Sequence, residues 1–318
     1  MKVMKYYPII IPTLCRFDHF KRCIESLSRC SRSNEIDCYV GLDFPSKEEH
    51  KEGYKKIKHF LDSNVFNFHK LIVLERDHNL GALENMNQLL SIVREKYDSY
   101  VYTEDDNEFS PCFLDYIIKC IEQYKDNENV YSICGYSRPE YKELTDSSII
   151  FTLGNSAYGT AYWVEKEKAY INLPKQYYKD AVSTFKSWKK LYKLHRFFVF
   201  GFSYSILHDR YFDDGKYSCY SFLENKYQIK PAISLVRNWG CDGSGLHSGN
   251  NPEVSKREIS KEEFFKLEPD EPVVLNKRVL TQMVKEAGSP FSKSRIHQEI
   301  GAFVYPFIIW LSSKVHKK

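Results

Sequence analysis

Apolar and polar positions along the first third of the chain switch repeatedly between two periods. Pro8 to Leu14 is a short Ile-rich apolar run closed by a polar turn, which predicts a buried strand. Phe17, Phe20, Ile24 and Leu27 follow at spacings of three and four, one face of a helix. Asp37 to Leu42 predicts a second strand ending at Asp43, and Leu71 to Leu74 a third, with the charged stretch Ser46 to Asp62 between them. After His78-Asn79-Leu80-Gly81, the positions Leu83, Met86, Leu90 and Val93 mark another helix face. Tyr100 to Tyr102 predicts a fourth strand that runs into Thr103-Glu104-Asp105-Asp106, and Phe113, Leu114, Ile117, Ile118 and Ile121 a further helix.

Alternating strands and helices predict an α/β fold with a mostly parallel sheet covered on both faces. Right-handed crossovers bring the strand ends to one edge, where ligands of such sheets collect. Asp43 and the Glu104-Asp105-Asp106 cluster both fall at such ends. The second half is less regular. Tyr131 to Gly135 and Ser148 to Leu153 predict strands, Ala161 to Tyr170 a short helix, and Lys179 to Arg196 a basic helical stretch leading into the aromatic run Phe197 to Phe202. Beyond a Gly-rich loop near residue 250, charged segments lead to an apolar tail, Ile300 to Leu311, interrupted by Pro306. The pattern divides the chain into a domain over 1–250 and a C-terminal helical extension over 251–318.

Composition narrows this little. Of the 318 residues, 42% are hydrophobic and 28% charged, as in soluble globular proteins. The net charge of +4 and pI of about 8.4 favour phosphate-bearing substrates or an anionic surface, and fall short of what nucleic-acid binding needs. Aromatics, at 15%, suit stacking on sugar rings and core packing alike. The nine cysteines include no C-x2-C pair, which predicts unpaired core thiols and a cytoplasmic location. The apolar run before Arg16 is too short for a signal peptide or a membrane span.

Three consecutive carboxylates after a buried strand repel one another, and a hard divalent cation relieves that repulsion; a solvated turn is the plain alternative. The order of elements, with Glu104-Asp105-Asp106 closing the fourth strand, resembles the GT-A (Rossmann-like) glycosyltransferase fold and its DXD-type motif. The EDD form resembles the N-acetylglucosaminyltransferase I family and is similar to bacterial transferases that build lipopolysaccharide or capsule. The resemblance implies Asp106 as a direct ligand of Mn2+ or Mg2+, with Glu104 and Asp105 facing the ribose or supporting the site. It implies Asp43 against the nucleoside, Thr13 and Arg16 in the nucleotide-binding loop, and Arg76, in Arg76-Asp77-His78-Asn79-Leu80-Gly81, against the donor.

Phe212-Asp213-Asp214-Gly215 resembles the W-D-D-W segment of that family, although Phe and Gly replace the two Trp; Asp214 inherits the part of the base that deprotonates the acceptor, with Asp213 beside it, and a plain turn competes. Asn238-Trp239-Gly240-Cys241-Asp242-Gly243-Ser244-Gly245-Leu246-His247 looks like the N-x-G-x-D-G-S-G-x-H stretch of the bacterial relatives, which offers His247 to the metal or the diphosphate. Gly154 to Trp163 resembles the segment lining the sugar pocket, with Trp163 beginning a helix and stacking on the sugar or packing in the core.

The function implied is inverting transfer of a hexosyl or N-acetylhexosaminyl group from a UDP-sugar to a glycan or lipid-linked glycan in surface polysaccharide synthesis. A sugar nucleotidyltransferase is the first rival, although Ile11 to Arg16 lacks the Gly-rich basic loop that chemistry uses; a non-catalytic carbohydrate-binding protein is the second. The basic stretch around Lys186 to Arg196 and the apolar tail suit either a peripheral membrane contact or packing on the domain.

Overall fold

The computed structural model describes residues 5–243, 255–269, 271–287 and 294–315. Strands β1 (Tyr7–Thr13), β2 (Ile36–Leu42), β3 (Lys70–Glu75) and β4 (Ser99–Tyr102) alternate with helices α1 (Phe17–Ser28), α2 (Glu48–Ser63) and α3 (Gly81–Lys96). After a short β5 (Asn107–Phe109) and α4 (Phe113–Tyr124) come β6 (Val130–Cys134), β7 (Ile149–Thr152) and β8 (Thr160–Trp163). Helices α5 (Val164–Glu167), α6 (Lys175–Ser183), α7 (Phe185–Leu207) and α8 (Asp213–Glu224) precede β9 (Tyr227–Pro231) and β10 (Val236–Asn238). Two more helices, α9 (Lys277–Ala287) and α10 (Arg295–Val315), complete the described chain.

Eight strands form one sheet in the order β3-β2-β1-β4-β8-β6-β9-β7, and β10 pairs with β5 beside it. The pairings run β8 and β7 against the other six, so the sheet is mostly parallel. Period-two alternation divides its faces: Ile9 and Ile11 pack with α1, α2 and α4, whereas Ile10 packs with Leu89, Leu90 and Val93 of α3. Both faces are covered, which is why β1, β2 and β4 are apolar almost throughout.

Parallel strands place their carboxyl ends together. The backbone amides of Asp43, Arg76 and Thr103 bond to the carbonyls of Thr13, Leu42 and Ile10, which aligns all four loops on one edge. The charged stretch after Asp43 is helix α2, whose buried side chains are only Ile57 and Leu61. Gly53 lets this helix sit against the β1–α1 loop, since a Cβ there would fall 1.8 Å from the Cys15 carbonyl oxygen.

The second half departs from the sequence expectation at two places. Thr160 to Trp163 is a strand, and the helix begins only at Val164; four residues are too few to show a period, and pairing with β4 and β6 on either side decides the conformation. The basic stretch is two helices, and α7 continues through the aromatic run with a break at buried His195 (φ −159°, ψ 80°). Helix α10 includes Pro306 and packs along α7, burying Ala302 and Ile309, and the Trp188 indole donates to the Ala302 carbonyl at 2.9 Å. All nine cysteines are unpaired, and seven of them are buried.

Candidate functional site

The loop after β4 is the centre of a network drawn from four parts of the chain. Thr13 Oγ1, at the end of β1, donates to Asp105 Oδ2 at 2.7 Å. Arg16 spans both aspartates, with one terminal nitrogen on Asp105 and the other 3.0 Å from Asp106 Oδ2. From β10, Asn238 Nδ2 donates to Asp106 Oδ1 at 2.7 Å, and the Trp239 amide donates to the Asp106 carbonyl at 2.8 Å. The β5–β10 pairing sets Asn238 opposite Asn107 and so brings the Asn238–Gly243 loop onto the acids. Gly240 presses close, since a Cβ there would stand 2.1 Å from Asp106 Oδ2.

Asp105 and Asp106 are both buried. Loss of water raises the Asp105 carboxyl from its ordinary value, with Arg16 and Thr13 opposing. The two carboxylates hold the Arg16 guanidinium firmly charged against its own burial. Glu104 is half-buried and makes no side-chain hydrogen bond or ion pair among the described residues. Burial, then the charges of Asp106, Asp105 and Asp214, push its carboxyl up to about 7.

That Asp214 is among those charges is the main spatial result. Asp213 and Asp214 open α8, so the segment is a helix start rather than a free turn, and carboxylates suit that end of a helix. Asp213 is turned along the helix to pair with Lys216. Asp214 keeps solvent access, and Asn155 Nδ2 donates to its Oδ1 at 2.8 Å. Asn155 is itself held by its amide on Ser218 Oγ at 2.9 Å and by the Tyr131 hydroxyl, which donates to its Oδ1 at 3.1 Å. The enclosing protein raises the Asp214 carboxyl, and the Asn155 bond opposes that. The half-buried Tyr102 hydroxyl feels the charges of Glu104, Asp214, Asp106 and Asp105, so all four carboxylates lie within electrostatic reach of it.

The other expected residues are placed less uniformly. Asp43 is buried and accepts from the amides of Leu80 (2.8 Å) and Gly81 (2.9 Å) and from Asn79 Nδ2 (3.1 Å), which makes it an anchor for the start of α3. Arg76 Nε donates to Asn85 Oδ1 at 3.0 Å, while one terminal nitrogen is buried without a hydrogen bond. Trp163 is corrected: β8 runs antiparallel to β4 and pairs Trp163 with Ser99, at the end of β4 away from the acids. The indole is buried in the main core with Lys166 over its ring, so it packs the interior and does not reach the acids. Its neighbour in the same motif, Thr160, pairs with Tyr102 on the acid side. His247 lies outside the described residues.

Sequence reasoning missed Lys230, which is buried on β9 two residues from Gln228 and so on the same strand face. Gln228 Nε2 reaches Asn155 Oδ1 at 3.3 Å, and Lys230 feels the charge of Asp214, which ties both to the cleft. Burial lowers its ammonium from the ordinary value. The signal was a lysine alternating with glutamine inside the short strand Tyr227 to Pro231.

Among the described residues, no group of three His, Cys, Asp or Glu side chains is arranged to hold a metal ion. Mg2+-type sites often use one or two carboxylates and complete their shell with substrate phosphate and water. The hard carboxylate oxygens of Asp105 and Asp106, buried on Arg16, and of Glu104, without a partner among the described residues, fit such a cation.

The chain matches no protein-family model and no curated protein. Among solved structures it is similar to S. aureus TarS, at 14% identity and a TM-score of 0.35 over 52% of this chain and 29% of that one. It is also similar to the mannosyltransferase PcManGT from Pyrobaculum calidifontis in complex with GDP-Man and Mn2+, at 10% identity and a TM-score of 0.42 over 99% and 81% of the two chains. A third is mouse xyloside xylosyltransferase 1, at 10% identity and a TM-score of 0.30 over 51% and 68%. The chain thus spans less than a third of TarS. These likenesses are distant, and the functional reading rests on the site itself.

Proposed function

We propose that this chain is an inverting, metal-dependent glycosyltransferase that moves a sugar from a UDP-sugar to a glycan or lipid-linked glycan acceptor, in keeping with surface polysaccharide synthesis. The observation that carries the reading is that Asp214, at the start of α8, lies within electrostatic reach of Glu104, the first of the three acids that follow β4 at the carboxyl edge of a mostly parallel sheet.

Asp106, with Glu104 beside it, would hold Mn2+ or Mg2+; bound there, such an ion supplies Lewis-acid stabilisation of the departing diphosphate. Thr13 and Arg16 lock Asp105 and Asp106 in place, so these carboxylates meet a ligand without rearranging. Arg76, with a buried nitrogen still free to donate among the described residues, faces the donor from the next loop. Asp43 keeps that loop in shape through its bonds to residues 79–81. Across the cleft, Asp214 takes the proton of the attacking hydroxyl; Asn155 fixes its orientation and leaves one carboxylate oxygen open to the acceptor. Asp213, paired with Lys216, supports the helix start.

Slow hydrolysis of a UDP-sugar tests this reading. UDP release should require Mn2+ or Mg2+, stop with EDTA, and be lost in Asp106→Ala. An unchanged rate in that variant removes the metal assignment, and pyrophosphate release from UTP with a sugar 1-phosphate would transfer the site to nucleotidyl transfer.

A further inference from the structure

Helix α10 is apolar on two opposite sides. Ala302 and Ile309 are buried, on the side that packs against α7. On the other side Ile296, Ile300, Phe303, Phe307 and Leu311 recur at spacings of three and four, and all are exposed, Ile296 at 72% and Phe307 at 57%. Val304 and Ile308 widen the stripe. A soluble helix normally turns polar residues to that side, and a contiguous apolar surface of this kind marks a contact.

Phe303, Phe307 and Trp310 continue the stripe into a groove of about 540 Å3 whose other wall is Phe185 and Trp188 of α7. Cations stand over the rings of this groove: Lys189 lies 5.7 Å from the Phe185 centroid and Lys314 5.9 Å from that of Trp310. Lys186 and Lys193, both exposed, continue the Lys189 row along α7. Residues 185–196 contain four lysines and an arginine and no acid, and residues 300–318 contain three lysines and no acid. Among the described residues Asp180 is the one acid on the groove's lining. Among the described residues no helix is long and apolar enough to cross a membrane.

We propose that the outer side of α10 and the adjoining lysine row of α7 form a docking surface for an anionic phospholipid bilayer, with α10 lying in the plane of the interface. The stripe enters the acyl boundary, Trp310 sits at headgroup depth, and Lys186, Lys189, Lys193 and Lys314 extend their ammonium groups to the phosphates. The charge selects this occupant: a second copy of the chain would bring one lysine row against another, and an uncharged partner would leave the row unanswered. The surface is separate from the acid cleft and stands whatever the cleft catalyses.

Co-sedimentation of the full chain with phosphatidylcholine vesicles, with and without phosphatidylglycerol, tests it. Binding should require phosphatidylglycerol, weaken with salt, and blue-shift tryptophan emission. Replacing Lys186, Lys189 and Lys193 together by Gln should weaken binding on the order of 100-fold. Ile300→Ser with Phe307→Ser, at side chains 58% and 57% exposed, should abolish it while the melting temperature and UDP-sugar hydrolysis stay at the parent level. Equal sedimentation with neutral vesicles, no sedimentation with either, or a dimer in analytical ultracentrifugation that the serine pair disperses would each overturn the proposal.

Discussion

The two acidic walls of the cleft are built in opposite ways. The wall after β4 is closed: Asp105 and Asp106 are buried and spanned by one arginine, with Thr13 on the first and Asn238 on the second. The wall at the start of α8 is open: Asp214 meets solvent and, among the described residues, accepts one side-chain hydrogen bond, from Asn155. In the proposed transfer, the closed wall would present fixed charge to a diphosphate, a ligand of constant shape. The open wall would leave a carboxylate oxygen for the hydroxyl of the acceptor. Burial is therefore spent where geometry must not move, and exposure is kept where the partner must enter and leave.

Removing the charge at the open wall should give the largest effect. Asp214→Asn keeps the shape and the Asn155 contact and is expected to lower kcat for transfer about 10²- to 10⁴-fold, with UDP binding by calorimetry unchanged. If UDP affinity falls in parallel with kcat, the two walls do not divide donor from acceptor. At the closed wall the expected damage is to the fold. Arg16→Met strands two buried carboxylates and should cost about 3–5 kcal/mol in urea unfolding near neutral pH, recovering on acidification. A loss below about 1 kcal/mol, the range of exposed ion pairs, would show that water reaches these aspartates freely.

A subtler test uses Glu104. Its carboxyl is raised from 4.5 to about 7 in the folded protein, so the native state holds a proton that the unfolded chain has released. The stabilisation this gives is complete below about pH 4.5 and disappears as pH rises through about 7. In EDTA, unfolding free energy should fall across that window by up to about 3 kcal/mol. Glu104→Gln should flatten that part of the profile, and Mn2+ should flatten it in the parent. A parent profile that rises across the window would place Glu104 beside a cation already in the protein.

How much of this was legible in the sequence follows the same division. The closed wall belongs to the regular half, where β1, β2 and β4 are buried on both faces and so are written as apolar runs, with chemistry at their ends. Helix α2 was obscured because it covers the sheet with two buried side chains among charged ones. The helical expectation fails at Ala161 to Trp163 because their conformation comes from their neighbours in the sheet rather than from so short a run of residues. The Asp213-Asp214 pair was visible as a motif. Its closeness to Glu104, 110 positions earlier, depends on how α8 returns to the sheet edge, and no local pattern encodes that. The hold of Asn155 on Asp214 and of Asn238 on Asp106 was hidden likewise, since polar side chains in irregular segments do not announce their partners.

The contact at Gly53 extends the closed wall outward. Any side chain there would drive into the Cys15 carbonyl, and Arg16 is the next residue along the backbone. Helix α2 thus acts as a mechanical stop behind the arginine that balances the two aspartates, although it contributes no group to the cleft. Its exposed charged positions face solvent, whereas at Gly53 a single added methyl would be felt as a displaced charge beside the two aspartates.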